Sequence, residues 1–324
     1  MPPPKITVLI CNYNYGLFVG EAIESVLAQT YPHVELIVVD DGSTDTSRDV
    51  IERYSTLTKI FKENGGQTSA IKAALSHITG DVVVILDSDD LLVPIACATI
   101  ARGWNARLSL LQYGLEQRDG EGRVLGRYPD QPFLHGRERE FVLTYGYIPS
   151  SPTSGNAFSR QHLETAFQPN AYQDRSFPDG YLIFTAPLYG EVLSLDEVLG
   201  IYRIHGQNAS PSAGMTLKRL RNQFNTDLGH RAGLAAHAAR LGLSTKSALD
   251  YLGPYHWRAA IVIKRLVPSA PELQGISRCG ILWRGAAQFL SFPELSVSRR
   301  LRNIVALFVA AFGPTTVARL MVGR

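Results

Sequence analysis

Apolar runs and helical stripes alternate along the first hundred residues. Ile6–Cys11 is a short apolar run, stopped by Asn12, Tyr13, Asn14 and Gly16. Phe18, Val19, Ala22, Ile23, Val26 and Leu27 then recur at helical spacing. Glu35–Val39 is a second run, broken at Asp40-Asp41-Gly42-Ser43, with Thr44 or Asp45 placed to cap a helix reaching about Tyr54. A short strand follows at Thr58–Phe61. In KENGGQTSAIKAALSHITG a glycine turn leads into a helix with Ile71, Ala74, Leu75 and Ile78 on one face. Val82–Leu86 is five apolar residues in a row, the pattern of a strand covered on both sides.

Strands separated by single helices imply parallel pairing through crossovers, hence an α/β fold with a doubly wound, mostly parallel sheet. In such sheets ligands bind beyond the carboxyl ends of the strands. The unusual polar clusters all fall there: Asn12–Asn14, Asp40–Ser43, Asn64–Gln67 and Asp87–Asp90. Further on, residues 110–128 predict a hairpin turning at Asp119–Gly122. Residues 135–147 read as helical. SPTSGNAFSRQHL gives a short strand and a helix start. A helix is expected from about Asp179, then paired strands near Val192–Leu195 and Leu199–Arg203. After about Met215 the pattern is mainly helical, with breaks at Gly253-Pro254, Pro268–Pro271, Phe292-Pro293 and Gly313-Pro314.

Composition is ordinary for a globular chain of 324 residues, but charge is unevenly spread. Residues 1–250 hold 22 basic and 27 acidic side chains; residues 251–324 hold 10 and 2, with no acid after Glu294. A basic end on an acidic body implies an anionic surface or partner. The last 26 residues, RRLRNIVALFVAAFGPTTVARLMVGR, read equally as a helix lying on an anionic membrane or as one packing its apolar side on the protein. Aromatics do not interleave with the basic residues there, which argues against nucleic acid. Cys11, Cys97 and Cys279 are too scattered for a disulfide framework or a zinc site, and a reducing compartment is expected. The start MPPPKITVLICNYN lacks a signal-peptide pattern, and no run reaches the roughly 20 apolar residues of a membrane span.

Asp87-Ser88-Asp89 puts two carboxylates two positions apart at a strand end. Hard oxygen donors in small number suit Mg²⁺ or Mn²⁺, with substrate phosphates and water completing the shell. A solvated, helix-capping strand end is the competing reading. Asp41 can accept from a base N–H, or serve only a turn. Tyr13 can stack on a base, or cover the sheet edge. Asn64-Gly65-Gly66 before a helix offers backbone N–H groups to phosphate, and Lys72 in that helix adds a positive charge.

Four segments together resemble the family-2 inverting glycosyltransferases of the GT-A fold: ITVLICNYNYGLFVGEAIESVLAQTYPHVELIVVDDGSTDTS, ENGGQTSAIKAAL, GDVVVILDSDDLLVP and GIYRIHGQNAS, spanning roughly residues 5–210. The resemblance implies a GT-A domain over 1–214, with a nucleotide-binding half to about 105 and an acceptor-side half from about 106. A helical, basic extension then covers 215–324. It implies transfer from a nucleotide-diphosphate sugar to a saccharide or lipid-linked acceptor hydroxyl, with a Mg²⁺ or Mn²⁺ ion, in cell-surface polysaccharide or glycolipid synthesis. It places Cys11 (through its backbone), Tyr13, Asp41, Lys72 and Asp87 around the nucleotide. Asp89 and His205 fall at the metal, with Asn208 in the same late segment. Asp179 is the expected general base, with Pro178 where the family has Glu, and Asp174 is its nearby competitor. The expected location is cytoplasmic, peripheral at the inner face of the cell membrane through the basic tail. A nucleotidyltransferase is the first alternative, although CNYNYG lacks its glycine-rich basic loop. A catalytically silent nucleotide-sugar-binding module is the second.

Overall fold

The computed structural model describes residues 2–168, 178–205, 216–248, 250, 254–291 and 296–314. The chain divides into two compact units, Met1–Val142 with Ile148–His205, and Leu143–Tyr147 with Gly206–Arg324. The boundary expected at 214/215 lies outside the described residues.

The first unit is built on one mixed sheet. Strands β1 (Ile6–Asn12), β2 (Val34–Asp40), β3 (Thr58–Phe61) and β4 (Val82–Asp87) run parallel. Helices α1 (Val19–Leu27), α2 (Ser47–Glu52) and α3 (Gln67–Ala74) make the crossovers. Val8, Ile10, Val38 and Val84 share a buried cluster with Val19, Ile23 and Val26 of α1. Both faces of these strands are covered, which is why the sequence shows unbroken apolar runs rather than alternation. Asp45 does act at the start of α2: its carboxylate accepts the Ser47 N–H at 2.9 Å.

Beyond β4 the sheet turns mixed. It adds β5 (Leu91–Leu92), β6 (Leu108–Asp119), β7 (Val124–Tyr128), β8 (Asn156–Ser159) and β9 (Glu191–Ile204). The order is β3-β2-β1-β4-β8-β6-β9-β5, with β7 on β6. β8 is antiparallel to both β4 and β6, so the sheet direction reverses there. The β6–β7 hairpin turns where the sequence predicts it. The two paired strands expected near 192–203 are instead one strand, β9, parallel to β6 along its length. Register passes from Tyr113↔Leu195 to Gly114↔Val198, so Asp196 and Glu197, which look like a turn in sequence, form a bulge. Gly114 makes room for it: a Cβ there would sit 3.2 Å from the Glu197 carbonyl oxygen. Helices α4 (Ala96–Gly103), α5 (Glu138–Tyr145), α6 (Arg160–Ala166) and α7 (Asp179–Tyr189) complete the chain to this point.

The second unit is helical, with α8 (Leu217–Arg240), α9 (Pro254–Leu266), α10 (Arg278–Ser291) and α11 (Val297–Phe312). Its core gathers Phe224, Trp257, Ile261, Phe289 and Leu307. Arg221 on α8 holds Glu272 with two hydrogen bonds, at 2.6 and 2.9 Å. Among the described residues no helix is long and apolar enough to cross a membrane.

Candidate active site

The site is assembled by strand register. β1 lies between β2 and β4, so the Cα of Cys11 pairs with that of Asp87 and the Cα of Asn12 with that of Asp40. Whatever follows the last apolar residue of each strand is therefore delivered to one edge.

The three acids at the end of β4 and just beyond it have three different surroundings. Asp90 is buried and turned inward: Ser154 Oγ donates to its Oδ2 at 2.6 Å and the Arg203 N–H to its Oδ1 at 3.1 Å. Asp87 accepts from Gln67 Nε2 at 2.9 Å, while its own N–H donates to Ser154 Oγ at 3.1 Å. Asp89 Oδ2 faces His205 Nε2 at 3.1 Å. The Asp89 and His205 side chains are 14% and 12% exposed, so the pair is reachable yet largely desolvated.

His205 is held by aromatic rings. Its imidazole stacks on Phe18, centroids 4.3 Å apart at 19°, and meets Tyr15 edge-on at 5.8 Å. The Arg203 guanidinium lies 5.0 Å from the Phe18 centroid; it also pairs with Glu21 and donates to the Asp89 carbonyl. Thus the end of β9 is fastened to α1 and to the acidic loop.

The field at this edge is negative. Burial, then the charges of Asp90, Asp89 and Asp179, raise Asp87 well above the ordinary carboxylate range, against a pull from Gln67. Burial, then Asp89, pushes Asp90 up to about 8, against the Ser154 and Arg203 hydrogen bonds. Burial, followed by the charges of Asp89, Asp87 and Asp90, takes Tyr15 up to about 12. Burial, then Asp87 and Asp41, also raises the Cys11 thiol, which keeps it protonated and unreactive. Acids placed so that they oppose one another's ionisation are what a cation relieves. Among the described residues no group of three or more His, Cys, Asp or Glu is arranged to hold a metal. Asp89 and His205 bring a carboxylate and an imidazole together here, the donor types from which a site for a divalent ion could be made.

Asp41 is spoken for. Its carboxylate accepts the Gly66 N–H at 2.6 Å, the Gly65 N–H at 3.0 and 3.1 Å, and Lys62 Nζ at 2.5 Å. This corrects one expectation: the backbone N–H groups of Gly65 and Gly66, read as open to phosphate, are satisfied by Asp41. Two glycines permit it. A Cβ on Gly42, at φ +77°, would lie 2.7 Å from the Asn64 nitrogen, and Gly66 turns into α3 at φ +87°.

Tyr13 stands exposed in the loop after β1. Lys72 is exposed on α3, its ammonium 5.7 Å from the Phe167 ring centroid. Asp179 opens α7, half-buried, close enough for its charge to act on Asp87. Asp174 and Asn208 lie outside the described residues. By sequence Ser154, Arg203 and Phe18 have no role at the site, and Gln67 has only a place in the Asn64–Gln67 cluster. Ser154 sits in a stretch that reads as a short strand and a helix start, and Phe18 reads as part of a helix's apolar stripe. Arg203 had a signal in its place two residues before His205.

A parallel half-sheet with acids at its carboxyl edge, continued by a mixed half, is the GT-A fold of nucleotide-sugar-dependent transferases. The family description "Glycosyl transferase family 2" matches residues 7–167. An uncharacterized glycosyltransferase of Nostoc sp. is 33% identical over 297 residues, covering 86% of this chain and 89% of its own length. The chain belongs to glycosyl transferase family 2. An uncharacterized glycosyltransferase of Haemophilus influenzae is 33% identical over 222 residues, 64% of this chain and 68% of that one. Among solved structures, S. aureus TarS 1-349 in complex with UDP-GlcNAc shares the fold at TM-score 0.56 and 17% identity, over 95% of this chain and 90% of that one. Mannosyltransferase PcManGT from Pyrobaculum calidifontis, in complex with GDP-Man and Mn²⁺, does so at TM-score 0.51 and 18% identity, over 95% and 87%.

Proposed function

We propose that this glycosyltransferase is metal-dependent and inverting. It moves a sugar from a nucleotide-diphosphate donor to an acceptor hydroxyl, in the synthesis of a cell-surface polysaccharide or glycolipid. The observation that carries the reading is the Asp89–His205 contact, 3.1 Å long, at an edge where Asp179 acts on Asp87. Fold neighbours determined with UDP-GlcNAc, and with GDP-Man and Mn²⁺, support the donor class and the cation.

Each residue has a task in this reading. Tyr13 offers its exposed ring to the nucleotide base. Asp41 fixes the loop of residues 64–66 beside the nucleotide, and Cys11 lines the pocket through its backbone. Lys72 adds positive charge on the donor side, and Asp87 completes the nucleotide site. In this reading Asp89 and His205 would hold a divalent ion, whose charge would stabilise the departing diphosphate. Asp179, on the acceptor side, takes the proton from the acceptor hydroxyl as its oxygen attacks the anomeric carbon. The Cys11 thiol stays protonated, so the protein offers no sulfur nucleophile there. One displacement from the face opposite the diphosphate inverts the anomeric centre. Residues 1–105 serve the nucleotide and 106–214 the acceptor, which is a saccharide or a lipid-linked saccharide. The three free thiols suit a cytoplasmic location.

The test is donor turnover and thermal shift across UDP- and GDP-sugars, with Mn²⁺ or with EDTA. One donor is expected to stabilise the chain and to be consumed with Mn²⁺ only. Stabilisation by none of them, or turnover unchanged in EDTA, contradicts the reading.

A further inference from the structure

The last helix of the second unit carries more exposed apolar surface than packing requires. Leu307, Ala310 and Ala311 of α11 are buried in the helical core. Yet Val297, Leu301, Val305, Phe308, Val309 and Phe312 are 43% to 71% exposed. At 3.6 residues per turn these six fall in one sector of about a third of the circumference. Arg302 and Arg299 follow along one edge of that sector. So α11 has three faces: one in the core, one apolar and open, one cationic.

The cationic face borders a cavity of about 390 Å³, lined by Arg258 of α9 and by Arg299, Arg302, Asn303 and Ala306 of α11. Its lining holds three guanidiniums and no carboxylate. Guanidinium forks match phosphate oxygens in geometry and charge. A cationic pocket beside an open apolar stripe is the arrangement a lipid meets with its headgroup and its chains. α11 has 16 residues and does not qualify as a span, so any membrane it meets would be met along its side rather than crossed.

We propose that α11 seats the protein on an anionic phospholipid surface. The stripe from Val297 to Phe312 enters the headgroup–acyl boundary, and the Arg258–Arg299–Arg302 pocket takes a lipid phosphate. This goes beyond the transfer reaction and does not depend on it, since none of these residues belongs to the proposed catalytic site.

Co-sedimentation of the full chain with two kinds of vesicle tests it: phosphatidylcholine alone, and phosphatidylcholine with about one-third phosphatidylglycerol. Partitioning onto the anionic vesicles is expected to be at least about tenfold stronger and to weaken with salt. Arg299→Gln and Arg302→Gln each lower it about fivefold. Phe308→Ser with Phe312→Ser lowers binding to both vesicle types. The thermal unfolding midpoint stays within a few degrees in each variant, which separates lost docking from lost folding. Equal partitioning onto both vesicles, or onto neither, overturns the proposal. So does inorganic phosphate that protects the chain thermally without any vesicle binding. So does a dimer in sedimentation velocity that Phe308→Ser dissolves, because the stripe would then belong to a second copy of the chain.

Discussion

His205 Nε2 stands 3.1 Å from Asp89 Oδ2, although 116 residues separate them in the chain. The stack of His205 on Phe18 holds the imidazole there. If the pair binds the cation, His205→Ala raises the Mn²⁺ concentration for half-maximal donor turnover about 10- to 100-fold. Most of the rate returns at saturating Mn²⁺. Phe18→Leu keeps bulk and loses the aromatic face, so it moves the same midpoint about two- to tenfold. A manganese titration of turnover reads both.

Asp179→Asn separates base from binding. Transfer to an acceptor is expected to fall by about 10² to 10⁴. Thermal stabilisation by nucleoside diphosphate with Mn²⁺ is expected to stay at the wild-type level. Loss of stabilisation as well would make Asp179 part of the binding site rather than the base.

Asp41→Ala removes the acceptor for two main-chain N–H groups and the partner of Lys62 in a nearly closed site. Stability is expected to drop by about 2 to 4 kcal/mol in urea unfolding. The loop at 64–66 should become the first site of proteolysis.

Acid stability has a carboxylate that can be named. Burial raises Glu35, but hydrogen bonds from Thr7, Thr79 and Lys5 outweigh it and hold the group down at about 2. A depressed folded-state value means the stabilisation is present above the unfolded-state value of about 4.5 and is lost as pH falls from there toward about 2. Solvent screens this partly exposed group, so Glu35→Gln should lose only about 1 kcal/mol at neutral pH and show a flatter acid limb below about pH 4.5. Chemical unfolding measured along a pH series reads the difference.

The sequence shows the parallel half plainly, because strands covered on both faces leave unbroken apolar runs such as Val82–Leu86. The later half is harder to read. β9 looks like two strands because Asp196 and Glu197 mimic a turn, and only pairing with β6 reveals a bulge. The site's acids are legible as chain punctuation at strand ends. Their division of labour is not: Asp90 is turned inward by Ser154 and by the main chain of Arg203, contacts 64 and 113 residues away. The same holds for Gly65 and Gly66, whose N–H groups look available until the carboxylate of Asp41 is found on them. Local pattern predicts which groups reach the edge, and long-range hydrogen bonds decide which of them remain for a ligand.

The cation is the centre of the account, and calorimetry of nucleoside diphosphate binding tests it most directly. UDP and GDP are titrated into the wild-type chain and into Asp89→Asn, with Mn²⁺ and with EDTA. The expected result is binding of one of them with Mn²⁺, at least about tenfold weaker in EDTA, and an Asp89→Asn chain that behaves with Mn²⁺ as the wild type does in EDTA. Equal affinity of the wild type in Mn²⁺ and in EDTA would contradict it.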